Sequence, residues 1–88
     1  MGDLDGKVAL LTGAGSLVGG AIGQKLVDAG AKVVMAGRNE VNGAEVVAPL
    51  GGSGVFVRTD ITNDDDLDAL VATAVDRFGG VDIVVSAA

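Results

Sequence analysis

Four short apolar runs, each separated from the next by a helix-length stretch, leave few folds open to this chain. They are Lys7 to Thr12 (KVALLT), Ala31 to Gly37 (AKVVMAG), Gly54 to Thr59 (GVFVRT) and Val81 to Ala87 (VDIVVSA). Each is rich in β-branched residues and too short for a helix, so each reads as a buried strand. Strands joined by helix-length crossovers pair in parallel with right-handed connections, whereas antiparallel neighbours need only tight hairpins. The order is β-α-β-α-β-α-β, an α/β chain with a doubly wound parallel sheet of strand order 3-2-1-4.

The intervening stretches carry helical periods. Val18, Ile22 and Leu26 fall at steps of four, Val27 and Ala29 widen the stripe, and Gly30 stops it. A second helix is predicted over Glu40 to Ala48, with Asn42-Gly43 inside it at a cost and Pro49 ending it. In the third, Leu67, Leu70, Val71, Ala74, Val75 and Phe78 form one face, and Gly79-Gly80 close it. Thr62 is predicted to start it, with Asp65 three residues on as an acidic capping box. Asp64, Asp65 and Asp66 lack the glycine and distal Glu of a calcium loop, and fit better as acids at the helix's positive end.

Composition narrows the chemistry. The 88 residues allow at most one domain. They are 49% apolar with only two aromatics, Phe56 and Phe78, the profile of strands packed closely between helices. A net charge of −6 with no basic run excludes a nucleic-acid surface. Without Cys or His there is no zinc site, thiol catalysis or imidazole catalysis, and no metal site is expected. The acidic start MGDLDGKVAL is no signal peptide, and no run approaches a membrane span, so a soluble cytoplasmic chain is expected.

In such sheets ligands bind at the carboxyl ends of the strands, beside the point where strand order reverses, here the turn after Thr12. Gly13 permits a sharp exit, Gly15 and Ser16 keep the loop thin, and Gly19 and Gly20 let the helix start close to the sheet. Backbone N–H groups at that start make an anion site. The same glycines also serve plain strand–helix packing. A Walker loop is ruled out, since no Gly-Lys-Ser/Thr follows.

The run Thr12-Gly13-x-x-x-Leu17-x-Gly19 resembles the T-G-x-x-x-G-x-G turn of the short-chain dehydrogenases/reductases. TDIT (Thr59 to Thr62) is similar to that family's adenine-contacting aspartate segment, and RFGGVDIVVSAA (Arg77 to Ala88) to its approach to an N-N-A-G motif. The resemblance runs through all 88 residues and implies a Rossmann-type dinucleotide-binding half-domain over 1–88. It implies cofactor contacts from Gly13, Gly15, Ser16, Leu17, Val18, Gly19, Arg38, Asn39, Asp60, Ile61, Ser86, Ala87 and Ala88. Two departures stand out. Leu17 occupies the place of the family's second glycine, so its side chain must turn away from a pyrophosphate or push it outward. Ser86-Ala87-Ala88 replaces Asn-Asn-Ala, which removes two amides and keeps one hydroxyl.

Gly37-Arg38 stands where an acid would bind a free ribose 2′-OH. A guanidinium there suits a 2′-phosphate, so NADP is expected over NAD, although a solvated surface Arg would look the same. The resemblance implies hydride transfer to a carbonyl or from a secondary alcohol, assisted by a Tyr-x-x-x-Lys pair. This sequence has no Tyr, and Lys7, Lys25 and Lys32 lie in the nucleotide half, so no catalytic residue is expected within it. The expectation is the amino-terminal, cofactor-binding part of such an enzyme, truncated after the fourth strand with its apolar edge Ile83 to Val85 exposed, and homo-oligomeric when complete. A non-catalytic nucleotide-binding, redox-sensing module is the alternative. An S-adenosylmethionine-binding methyltransferase domain would favour an acid where Gly37-Arg38 stands.

Overall fold

Strand spacing and crossover length are realised as a four-stranded parallel sheet. The computed structural model describes residues 2–13 and 17–86, the side chains of 17 and 18 excepted. The strands are β1 (Val8–Thr12), β2 (Lys32–Gly37), β3 (Gly54–Arg58) and β4 (Ile83–Ser86), in the order β3-β2-β1-β4. The helices are α1 (Leu17–Asp28), α2 (Glu40–Val47) and α3 (Asp64–Phe78), with a 3-10 segment over Ala48–Ser53 that begins at Pro49's neighbour and ends the second crossover.

Alternation along the strands divides the core between two faces. Ala9, Leu11, Val33 and Met35 point to one side, where Ile22, Leu26 and Val27 of α1 and Val46 and Val47 of α2 cover them. Leu10, Val34 and Ala36 point to the other, against Leu70, Ala74 and Phe78 of α3. Leu11, Val33, Val34 and Met35 are fully buried, so the two central strands are covered on both faces.

Three details differ from the sequence expectation. α3 is capped by Asn63, not Thr62: the Asn63 carboxamide oxygen accepts from Asp66 N at 3.1 Å, because the Thr62 hydroxyl is already committed to Asp60. The apolar face of α3 is narrower than its period implies, with Val71 49% and Val75 50% exposed, since Leu70, Ala74 and Phe78 fill the contact with the sheet. Gly43 is no idle cost to α2. A Cβ there would run into the Phe56 ring of β3, so the missing side chain lets α2 approach the sheet. On the β4 edge Val84 is 69% exposed, while Ile83 and Val85 pack toward the α1 side.

Candidate functional site

The register sets the carboxyl ends of the strands side by side. Thr12 lies opposite Ala36 on one side and Ser86 on the other, and Gly37 lies opposite Arg58. The β2–β3 ladder runs one step further, because Thr59 N donates to Gly37 O at 2.7 Å. The exits of β1, β2 and β3 therefore open on one place.

Each exit has its own local cause. After Thr12 the chain turns at Gly13, whose φ of 78° is a left-handed conformation that side chains disfavour. α1 begins at Leu17, and Gly19 is buried in its first turn, so Gly13 and Gly19 stand at the exit of β1 and in the first turn of the helix that follows. Gly15, Ser16 and the side chains of Leu17 and Val18 lie outside the described residues, as do Ala87 and Ala88. After Gly37 the chain passes Arg38 and enters α2 at Asn39. The Asn39 Oδ1 accepts from Val41 N at 3.0 Å and from Asn42 N at 3.1 Å, satisfying two amides that an incoming anion would otherwise meet.

After β3 the buried Thr59 hydroxyl donates to Val57 O at 3.0 Å. Asp60 then forms a tight turn of its own: its Oδ1 accepts from the Thr62 hydroxyl at 2.6 Å and from Thr62 N at 3.0 Å. The Asp60 amide donates to Asp66 Oδ2 at 2.9 Å, which ties the turn to the first turn of α3. The same Asp60 Oδ1 stands 3.6 Å from an Arg38 guanidinium nitrogen. The two Thr62 hydrogen bonds hold the Asp60 carboxyl below its ordinary value of 3.8, Arg38 and Arg58 pull the same way more weakly, and partial desolvation opposes them.

These exits enclose a cleft of about 270 Å³. Thr12 and Gly13 form one wall, Ala36, Gly37 and Arg38 the floor and second wall, and Thr59 with Ile61 the third. Ile61 is 53% exposed, an apolar side chain kept at the surface beside the cleft. The volume suits a nucleoside rather than a whole dinucleotide, with glycine backbone at one side, an apolar flank at another and a cation at the rim.

Of the residues expected from the sequence, Gly13, Arg38 and Ile61 line this cleft, and Asp60 joins it through Arg38. Asn39 serves as a helix cap. Ser86 sits across β1, where Thr12 Oγ1 donates to the neighbouring Val85 O at 3.5 Å. Thr62 was overlooked as a site residue, although an Asp followed two places on by Thr is a turn signal in which the carboxylate accepts from the later amide. Among the described residues no group of three acidic side chains is placed to hold a metal ion, and no helix is long and apolar enough to cross a membrane.

Comparison with known proteins gives this geometry a context. Residues 7–88 match the family described as short chain dehydrogenase. An uncharacterized oxidoreductase of Staphylococcus aureus (strain USA300) is 46% identical over 86 residues, covering 97% of this chain and 37% of that protein. A 3-ketoacyl-(acyl-carrier-protein) reductase from Brucella melitensis, solved with NADH, superposes with a TM-score of 0.89 at 40% identity, covering 93% of this chain and 34% of the other. A short-chain dehydrogenase/reductase from Burkholderia phymatum, solved with NAD, superposes at 0.87 with 39% identity, covering 96% of this chain and 31% of the other. The chain thus spans about a third of the length of these relatives (37%, 34% and 31%).

Proposed function

This chain belongs to the short-chain dehydrogenase family, and from that premise we propose that it is the cofactor-binding part of an NADP(H)-linked oxidoreductase acting on a carbonyl or secondary alcohol. The observation that carries the cofactor choice is Arg38 at the rim of the cleft, following a Gly37 that offers no acid to a ribose 2′-OH. In this reading the Arg38 guanidinium binds the 2′-phosphate of the adenosine ribose. Ile61 lies against the adenine, and Asp60 accepts from its exocyclic amine. The turn from Gly13 through Gly15, Ser16, Leu17 and Val18 to Gly19 receives the pyrophosphate on backbone N–H groups at the start of α1. Ser86, across β1 from Thr12, and the Ala87 and Ala88 that follow it in sequence serve the nicotinamide side. Asn39 acts at one remove, holding α2 and therefore the exit of Arg38 in place.

The bound nicotinamide would carry the hydride. The residues of this chain bind and orient it, and the acid–base pair and substrate pocket are supplied from elsewhere in the enzyme. Substrate class and homo-oligomeric assembly rest on the family alone.

The test is cofactor affinity in the intact protein. Arg38→Asp is expected to weaken NADPH by about tenfold or more, the value of a charge-assisted contact, and to leave NADH unchanged or tighter. Equal loss of both cofactors would reject the 2′-phosphate role.

A further inference from the structure

The cation that recommends NADP(H) already has an anion beside it. β2 brings no acid of its own to the cleft, but the turn after the adjacent strand sets one beside Arg38. The Thr59–Gly37 hydrogen bond holds the two chain exits together, and Asp60 Oδ1 comes within 3.6 Å of Arg38. The partners are unequal. Asp60 Oδ1 is fixed by two Thr62 donors, at 2.6 and 3.0 Å, and its side chain is 39% exposed. Arg38 is 71% exposed on a long flexible stem. The guanidinium can leave, whereas the carboxylate is held.

Resting on the reading of Arg38 as the 2′-phosphate contact, we propose that Asp60 is a specificity-determining residue that offsets Arg38, so that the site accepts both NAD(H) and NADP(H). When the ribose carries a free 2′-OH, Arg38 stays on Asp60. When it carries a 2′-phosphate, Arg38 transfers to the phosphate, and binding forfeits the ion pair while the phosphate faces a carboxylate. Both terms lower the preference for the phosphorylated cofactor. An exposed pair of this kind accounts for a few-fold in affinity, and at physiological salt the Debye length of about 8 Å leaves charges this close only partly screened.

A double-mutant cycle on the intact protein tests this, with dissociation constants for NADPH and NADH measured for each variant. Taking the ratio of the two cofactors cancels whatever Asp60 does for the adenine they share. Asp60→Asn, which keeps an oxygen for Thr62, is expected to raise the preference for NADPH about 3- to 5-fold. In an Arg38→Ala background the same change is expected to shift the ratio less, because only direct repulsion remains. An unchanged ratio in Asp60→Asn, or equal shifts in both backgrounds, would overturn the proposal. If Arg38→Ala alone leaves the ratio at its starting value, the 2′-phosphate reading itself has failed, which separates the two failures. Should Asp60→Asn not fold, Asp60→Ser keeps an acceptor for the Thr62 amide and serves in its place.

Discussion

The strands of the sheet are finished differently at their two ends. At the amino ends the closure is mostly backbone: Lys32 N donates to Lys7 O at 2.9 Å, Asp82 N to Val8 O at 2.8 Å and Leu4 N to Ala29 O at 2.8 Å. Carboxylates assist, with Asp82 Oδ2 accepting from Val8 N at 2.9 Å and Asp5 Oδ1 from Gly2 N at 3.1 Å. At the carboxyl ends the strands part around a cleft, and side chains take over: Asn39 caps α2, Thr62 pins Asp60, and Asp60 meets Arg38. Backbone closure is nearly indifferent to sequence and adds stability. Side-chain closure depends on a few identities, so that is where ligand choice can be written.

Substitutions at the two ends should therefore separate stability from cofactor choice. The largest effect is expected behind the carboxyl ends, at Gly43. Gly43→Leu would drive a side chain into Phe56 and should destabilise by about 3 kcal/mol in urea unfolding, as overpacking of a filled contact does. Next, Asp82→Ala leaves the Val8 amide without its carboxylate. It should cost about 1–2 kcal/mol while the NADPH-to-NADH affinity ratio stays put; a change in that ratio would break the distinction between the ends. Asn39→Ala removes the α2 cap and should cost about 1 kcal/mol in the same unfolding assay.

The smallest effect is on acid sensitivity. The Asp60 carboxyl lies below its ordinary value of 3.8 in the folded protein, so the ionised form is favoured there over the unfolded chain. Its contribution to stability is complete at neutral pH and is lost as pH falls from that ordinary value through the lower folded one. Asp60→Asn should flatten that part of the acid limb in unfolding curves taken at successive pH values. An acid limb of unchanged slope would show that the Thr62 contacts do not hold the ionised form.

Much of this was legible in the sequence, and what escaped it shares one physical origin. Parallel pairing and the placement of Gly13 at a strand's exit follow from local spacing, since short β-branched runs with helix-length crossovers admit little else. What escaped depends on contacts between distant parts of the chain. Gly43 reads as a helix defect until Phe56 is seen against it. Thr62 and Asn63 are adjacent and both suited to capping, and the choice is made by the hydrogen bond from Thr62 to Asp60. Val71 and Val75 share the helical period of Leu70 and Ala74, yet the sheet beneath α3 meets only part of that stripe. Arg38 and Asp60 each carry a signal alone, but their meeting is fixed by the register of β2 on β3, which no local pattern encodes.

The most direct test is to follow backbone amide resonances of the intact protein while adenosine 2′,5′-bisphosphate is titrated in. Shifts are predicted to concentrate at Gly13, Arg38, Asp60 and Ile61, with Val8, Lys32 and Asp82 at the opposite ends of the same strands unmoved. Shifts centred on the amino ends, or a silent Arg38, would contradict the assignment of the carboxyl-end cleft as the adenosine site.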